Sequence, residues 1–387
     1  VDDVAGAVVL MSGKDWQDFE QALGQLHAQS RFRELIPRRW NGIEISDQQG
    51  QTLVNFGSND YLGLAIEAAA TSDVLMGAGA SALVCGWTEQ HELLANQLAR
   101  FEQTERAVLF PSGFAACSGT IATLCQEGDL IVSDQLNHAS LIDGCRLSRA
   151  ERVVYPHRDV QFVSELLQRD RQRYRRVWIV TETVFSMDGH VAPLAELVDI
   201  SERHNAELIV DEAHGTGILG EHMSGACEAF GLKDRIAIRL GTLSKAIGSQ
   251  GGFVVCPNVI ADYLINRCRS LIFSTALSPL AVESALRFFA TGAGLLNRRD
   301  RVTRLASSLR SQLGLSCSEL EMQVPIVPIV IGSDEDAMEM SRRLVEHRLF
   351  VPAIRPPTVP EGTARLRVSL SAAHTDEMLS RLVDAVR

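Results

Sequence analysis

A chain of 387 residues is long enough for a large core and for two structural lobes in one unit. Its 46% hydrophobic and 22% charged residues are ordinary globular usage. The net charge of −11 argues against nucleic-acid or anionic-membrane partners and leaves room for a local basic pocket.

No apolar run approaches the roughly 20 residues that span a bilayer. The first eleven residues lack a basic leader and a cleavage site, so no signal peptide is expected; Met11 is a candidate natural start. Eight cysteines without a C-x-x-C pair fit reduced, mostly buried thiols in a cytoplasmic protein. No disulfide frame and no metal site are expected.

In chain order, Trp16, Phe19, Leu23 and Leu26 fall at helical spacing and predict an amphipathic helix over 15–29. It is expected to pack on the C-terminal part of the chain or on a partner subunit, and residues 1–52 are read as this helix and a connecting segment. From about residue 53, short apolar strands alternate with helical patterns. The predicted strands are 107–110, 130–133, 153–155, 177–181, 207–210, 236–240 and 252–255. Such alternation predicts an α/β domain over 53–290, with a mainly parallel sheet and helices on both faces. The run Val177–Val180 is continuously apolar, as in a strand covered on both sides. After about residue 290 the pattern changes. Helices at 298–313, 336–347 and 375–386 and strands at 324–331, 349–354 and 364–370 predict a smaller α+β domain over 291–387.

Five segments carry chemistry, each just past a predicted strand. In Gly241-Thr242-Leu243-Ser244-Lys245 two hydroxyls and an amine precede the glycine-rich Gly248-Ser249-Gln250-Gly251-Gly252. A buried lysine amine can form a Schiff base with an aldehyde, and nearby hydroxyls can bind a phosphate. In Leu208-Ile209-Val210-Asp211-Glu212-Ala213-His214 an apolar strand ends on a carboxylate that could pair with a protonated ring nitrogen. His214 could bond the ring's phenolic oxygen or Asp211. In Phe110-Pro111-Ser112-Gly113-Phe114 a strand turns into a helix whose free N–H groups suit an anion. His138, in Asn137-His138-Ala139-Ser140, could stack on a flat cofactor. Glu182 and Ser186 add a carboxylate and a hydroxyl at the same edge. Alone, each segment equally fits an ordinary strand–turn–helix, a capping Asp or a structural His. Together they supply a group for each part of pyridoxal phosphate: phosphate, ring face, phenolic oxygen, ring nitrogen and aldehyde.

These segments, in this order, resemble the α-oxoamine synthases among the fold-type I pyridoxal-phosphate enzymes. Ser58-Asn59-Asp60-Tyr61-Leu62-Gly63-Leu64 and Phe185-Ser186-Met187-Asp188-Gly189 add to the likeness, which runs from Asn55 to the C-terminus. The resemblance implies an aspartate-aminotransferase-like fold and a pyridoxal 5'-phosphate-dependent acyltransferase. It implies Lys245, His138, Asp211 and His214 as catalytic residues: Lys245 holds the aldehyde, Asp211 pairs with the ring nitrogen and His138 stacks on the ring. Cofactor contacts also fall on Ser112, Gly113, Phe114, Glu182, Ser186, Thr242 and Ser244. Ser274 or Thr275 is expected to reach the phosphate of a neighbouring subunit, which implies a homodimer.

Arg367 is expected to bind the amino-acid carboxylate, with Arg365 on the same strand face as the fallback. Asn59, Arg33 and Thr358 match substrate-contacting positions. The C-terminal Ala353-Ile354-Arg355-Pro356-Pro357-Thr358-Val359-Pro360 and Gly362-Thr363-Ala364-Arg365-Leu366-Arg367 point to one branch of the family. That branch serves biotin biosynthesis and joins L-alanine to a pimeloyl thioester, carried on CoA or on acyl carrier protein. The competing readings are a glycine-using 2-amino-3-ketobutyrate CoA ligase and a non-catalytic protein on the same fold. The stretch 65–76 departs from the family pattern, being too short for the helix usual there.

Overall fold

The structure is a computed structural model describing residues 16–47, 49–66 and 76–387. The short stretch after Leu64 falls largely outside the described residues, as do the first fifteen.

The amphipathic helix forms as α1 (Gln17–Ala28), but none of its residues is buried. Its apolar stripe stays open, with Trp16 53%, Phe19 64% and Leu23 47% exposed. The following loop, not the stripe, holds it down: Arg31 pairs with Asp334 and Glu361. Then come β1 (Glu44–Ser46) and β2 (Thr52–Asn55), antiparallel to each other, and α2 (Glu89–Phe101).

Seven strands build the central sheet: β3 (Arg106–Phe110), β4 (Leu130–Asp134), β5 (Glu151–Tyr155), β6 (Val177–Glu182), β7 (Glu207–Asp211), β8 (Ile238–Thr242) and β9 (Gly252–Cys256). They correspond one for one to the seven predicted strands. The last parallel strand begins and ends two residues later than predicted, because Gly241 and Thr242 are still in the ladder opposite Phe253 and Gly252. Spatial order is β3-β9-β8-β7-β6-β4-β5, and only β9 runs against the others, between β3 and β8.

The alternation of side chains explains why the sheet is covered twice. In β4, Ile131 joins the apolar cluster on one face while Leu130 and Val132 join the other. In β6, Trp178 and Val180 face the first cluster, Val177 and Ile179 the second. Two buried faces require a continuous apolar run, and β4, β6, β8 and β9 are buried along their whole length. The terminal strand β5 is the polar, partly exposed edge.

After α3 (Gly113–Leu124) the chain lays down β4, after α4 (Ala139–Leu147) it adds β5 outside β4, and β6 then returns to the other side of β4. This reversal makes a crevice at the carboxyl ends of β4 and β6, where open α/β sheets take ligands. The β4–β6 ladder stops at Ser133–Val180, and the Asn137 side chain carries on beyond it. Its amide donates to Val180 O at 2.8 Å and accepts from Glu182 N at 3.0 Å.

The C-terminal part holds α5 (Ala293–Leu313), β10 (Ile326–Gly332), α6 (Asp334–Glu346), β11 (Leu349–Phe350), β12 (Ala353–Ile354), β13 (Ala364–Ser369) and α7 (Asp376–Val386). The strand predicted over 349–354 divides in two. β11 pairs in parallel with β2, while β12 pairs antiparallel with β13. Pro352 lies at the division; without an N–H it cannot continue a ladder as a donor, though its carbonyl accepts from Arg367 N at 3.1 Å. α5 starts five residues before the predicted helix and ends on Gly314 in the left-handed conformation (φ +68°). All eight cysteines are free and six are buried. Among the described residues no helix is long and apolar enough to cross a membrane, and no cluster of side chains suits a metal ion.

Candidate active site

The carboxyl ends of β3, β4, β6, β7 and β8 converge, and the sheet brings together residues far apart in sequence. β9 makes the convergence possible. A side chain at Gly252 would stand 2.5 Å from Ser112 O and 2.6 Å from Gly113 Cα, so only glycine lets the start of α3 settle on the sheet.

At the end of β8, the Lys245 amine lies 2.9 Å from His214 Nε2. His214 Nδ1 lies 2.6 Å from the Tyr61 hydroxyl, which donates to Asn59 Oδ1 at 3.2 Å. The directions are consistent if the ammonium donates to Nε2 and Nδ1–H donates to the phenol, which fixes a neutral tautomer. Burial, with the Lys245 and Arg367 cations close by, holds His214 well below the usual imidazole range. Arg367 Nη1 donates to the same Asn59 oxygen at 3.0 Å, and its Nε donates to Ser186 O at 2.6 Å. Burial pushes the Tyr61 phenol up to about 12, so it stays protonated.

Two carboxylates, Asp211 and Glu182, also stand near Lys245. Asp211 Oδ1 accepts from Ala213 N at 2.9 Å, and Oδ2 from the Cys117 thiol at 3.5 Å. Glu182 Oε2 accepts from Ser186 N at 3.1 Å, while Oε1 is buried without a partner. Burial, reinforced by the Asp211 charge, pushes Glu182 up to about 8. Burial also lowers the Lys245 amine, against the opposing pull of Asp211 and Glu182. His138 caps α4: its Nδ1 accepts from Ser140 N at 3.2 Å, and burial lowers its basicity.

An anion cradle closes the site. Ser112 caps α3 by accepting from Ala115 N at 3.1 Å, leaving the first-turn N–H groups of Gly113 and Phe114 without intrahelical partners. The Thr242 hydroxyl, 2.7 Å from Ser244 Oγ, lies against this turn: a Cβ on Gly113 would come within 3.1 Å of it. A helix N-terminus with hydroxyls, a strand-end carboxylate, an imidazole and a buried amine fit the parts of pyridoxal phosphate. The orphaned Glu182 oxygen and the Asp211 carboxylate near Lys245 fit a cationic ring beside them.

Not every candidate converges. Ser274 and Thr275 lie on the segment where Thr275 bridges Ser81, lining a small cavity with Pro111 and His91. Arg365 is held by Asp188 and Thr363, whereas Arg367 joins the Asn59–Tyr61 cluster. Thr358 lines a cleft of about 310 Å³ with Asn137, Phe185 and Asp188. Arg33 sits behind the same turn, donating to Pro356 O at 3.4 Å. The residues absent from the candidate set are Tyr61, Cys117, Asn137 and Ser140. Tyr61, Asn137 and Ser140 lie within quoted motifs; Cys117 lies outside them and meets Asp211 through a contact that sequence spacing does not reveal.

Comparison with known proteins agrees with this geometry. The profile of the aminotransferase class I and II family matches residues 51–386. An 8-amino-7-oxononanoate synthase of Alkaliphilus oremlandii is 40% identical over 378 residues, covering 95% of either chain. One from Geobacter sulfurreducens is 44% identical over 377 residues, 94% of this chain and 95% of the relative. Among solved structures, a lysine-to-alanine variant of serine palmitoyltransferase from S. paucimobilis with bound PLP-myriocin aldimine superposes with TM-score 0.86 at 27% identity, covering 96% and 98% of the two chains. The crystal structure of an 8-amino-7-oxononanoate synthase from Francisella tularensis gives TM-score 0.70 at 28% identity, covering 86% and 96%. The chain has the fold-type I pyridoxal-phosphate transferase fold, and its cofactor is pyridoxal phosphate. It belongs to the aminotransferase class I and II family.

Proposed function

We infer that this enzyme joins L-alanine to a pimeloyl thioester, giving 8-amino-7-oxononanoate for biotin biosynthesis. Alanine Cα bonds to the thioester carbonyl, the thiol carrier leaves, and the alanine carboxylate departs as carbon dioxide. One observation carries the reading: a buried amine, Lys245, against a neutral histidine, with Asp211 at the next strand end. The relatives named above supply the substrate class.

When bound, pyridoxal phosphate supplies an aldehyde for the amino group and a ring that accepts electron density from Cα. Lys245, freed when the amino acid binds, is placed to take the Cα proton and return it; its burial-lowered basicity keeps the amine available. Asp211 would hold the proton on the ring nitrogen, and His138 would cover the ring face. Ser186, His214 and Glu182 would face the phenolic oxygen. Ser112, Gly113, Phe114, Thr242 and Ser244 would hold the phosphate. Arg367, fixed by Ser186 O and Asn59, binds the alanine carboxylate.

The partner arrangement we propose is a homodimer in the cytoplasm, in which Ser274 or Thr275 reaches the partner's phosphate site. Large apolar residues open to solvent near these elements support it, with Phe114 47% and Phe273 70% exposed. The proposed division is 1–52, 53–290 and 291–387, on the change from a parallel to antiparallel sheets.

Pimeloyl thioester ends in a carboxylate that an acetyl donor lacks, and burying it unpaired would be costly. Thr358 on its cleft wall and Arg33 behind the Pro356-Pro357 turn are its proposed donors. Purified enzyme, assayed with alanine, glycine and serine against pimeloyl and acetyl thioesters, is expected to prefer alanine with pimeloyl. Arg33→Ala should narrow the pimeloyl–acetyl gap roughly tenfold, the scale of one charged hydrogen bond. Preference for glycine with acetyl-CoA would move the enzyme to the ligase branch.

A further inference from the structure

We propose that Cys117 is a positioning residue for this chemistry: its thiol fixes the orientation of the Asp211 carboxylate and ties it to the helix that cradles the phosphate. The inference rests on the cofactor roles given above. Cys117 lies one turn into α3, is 3% exposed, and points its Sγ at Asp211 Oδ2 at 3.5 Å, within reach of a thiol hydrogen bond. The other carboxylate oxygen accepts from Ala213 N. With one donor on each oxygen, the plane of the carboxylate is set before any ligand arrives.

The choice of donor matters. A thiol is a weak donor, so it can hold Oδ2 without withdrawing much of the negative charge that a ring nitrogen would meet. An aliphatic side chain would leave that oxygen buried with no donor from α3. Burial and the Asp211 charge push the thiol well above its usual range, so it keeps its proton. The charged and titratable groups around the pair are Lys245, Glu182 and His138.

The contact extends further. The Ser140 hydroxyl lies near the thiol, and its Oγ is 2.8 Å from His138 Nδ1. The thiol thus stands between the Ser140–His138 pair and Asp211. It lies between the residue proposed for the ring face and the one proposed for the ring nitrogen, across the ends of β4 and β7. The thiol is thus buried for a reason other than packing.

The test uses the cofactor-loaded enzyme and begins with infrared spectroscopy. The S–H stretching band of Cys117 is assigned by its loss in Cys117→Ala and, independently, in Cys117→Ser, so one variant that folds suffices. The band is expected at low frequency and should rise in Asp211→Asn, where the amide NH2 in place of Oδ2 cannot accept from the thiol. In Cys117→Ala, kcat should fall roughly three- to tenfold with KM for L-alanine within about twofold, the scale of one weak hydrogen bond to a charge. The ring-nitrogen 15N resonance should shift in the same variant, and Cys117→Ser should restore both kcat and resonance. A band indifferent to Asp211→Asn, or a Cys117→Ala enzyme with wild-type kcat and 15N shift, would reduce Cys117 to packing. The infrared reading is independent of which substrates are taken, so its outcome is separable from that of the substrate panel.

Discussion

Lys245→Ala is expected to cost roughly 10⁴-fold or more in turnover, because the proposed mechanism gives one amine two tasks, the cofactor's covalent anchor and the base at Cα. The purified wild type should be yellow, and borohydride should fix the cofactor to Lys245; the variant should show neither property. The loss is expected to be chemical, not structural. The amine's recorded hydrogen bond is to His214 Nε2, and Tyr61 still holds the opposite ring nitrogen when that contact goes. The variant does remove the cation that lowers Glu182, so this carboxyl, already pushed up to about 8, should rise further. A protonated Glu182 keeps the pocket from accumulating uncompensated negative charge, which favours retention of the fold. Circular dichroism checks that retention, and mass spectrometry locates the borohydride label. Wild-type turnover in Lys245→Ala without added amine, or a label on another residue, would overturn the assignment.

The sheet was legible because its strands are buried on both faces. A segment such as Val177–Val180 has no polar position to blur it, and all seven strands were placed within about two residues of the observed ends. The strand over 349–354 was misread because two sheets share one apolar run; Pro352 was the available signal for the break. α1 illustrates a different limit. The period of Trp16, Phe19 and Leu23 identifies a helix correctly, yet says nothing of what covers the stripe, and among the described residues nothing does. The site divides in the same way. Candidates at or just past a strand end, such as Asp211 and Lys245, stand out by position. Cys117 does not, since its partner is 94 residues away and a small thiol in a run of alanines reads as core. Arg365 and Arg367 are indistinguishable on the strand; only the fold shows that Asp188 takes the first while Asn59 and Ser186 hold the second.

Asp211→Asn should leave a folded enzyme that binds the cofactor and removes the Cα proton poorly. Asparagine has nearly the same shape, and its carbonyl can take the Ala213 N–H that Oδ1 now accepts at 2.9 Å. The amide then lies where Oδ2 meets the Cys117 thiol and where, in the proposed cofactor complex, it would meet the ring nitrogen. An amide can donate to an unprotonated nitrogen, so affinity should fall only several-fold, about 1–1.5 kcal/mol, the scale of one hydrogen bond exchanged for another. It cannot hold a proton on that nitrogen, however, and the ring's capacity to accept electron density from Cα depends on the proton being there. The expected loss in kcat is about 10²–10³-fold, the scale on which one preorganised electrostatic contact acts. Exchange of the L-alanine Cα proton with heavy water, followed by proton NMR without any thioester, isolates this step from acyl transfer. Its rate should fall in parallel with kcat, whereas loss of acyl binding alone would leave exchange intact. Wild-type exchange in Asp211→Asn would mean that another group holds the ring nitrogen, and Glu182, with its unpartnered buried oxygen, would be the first residue to test.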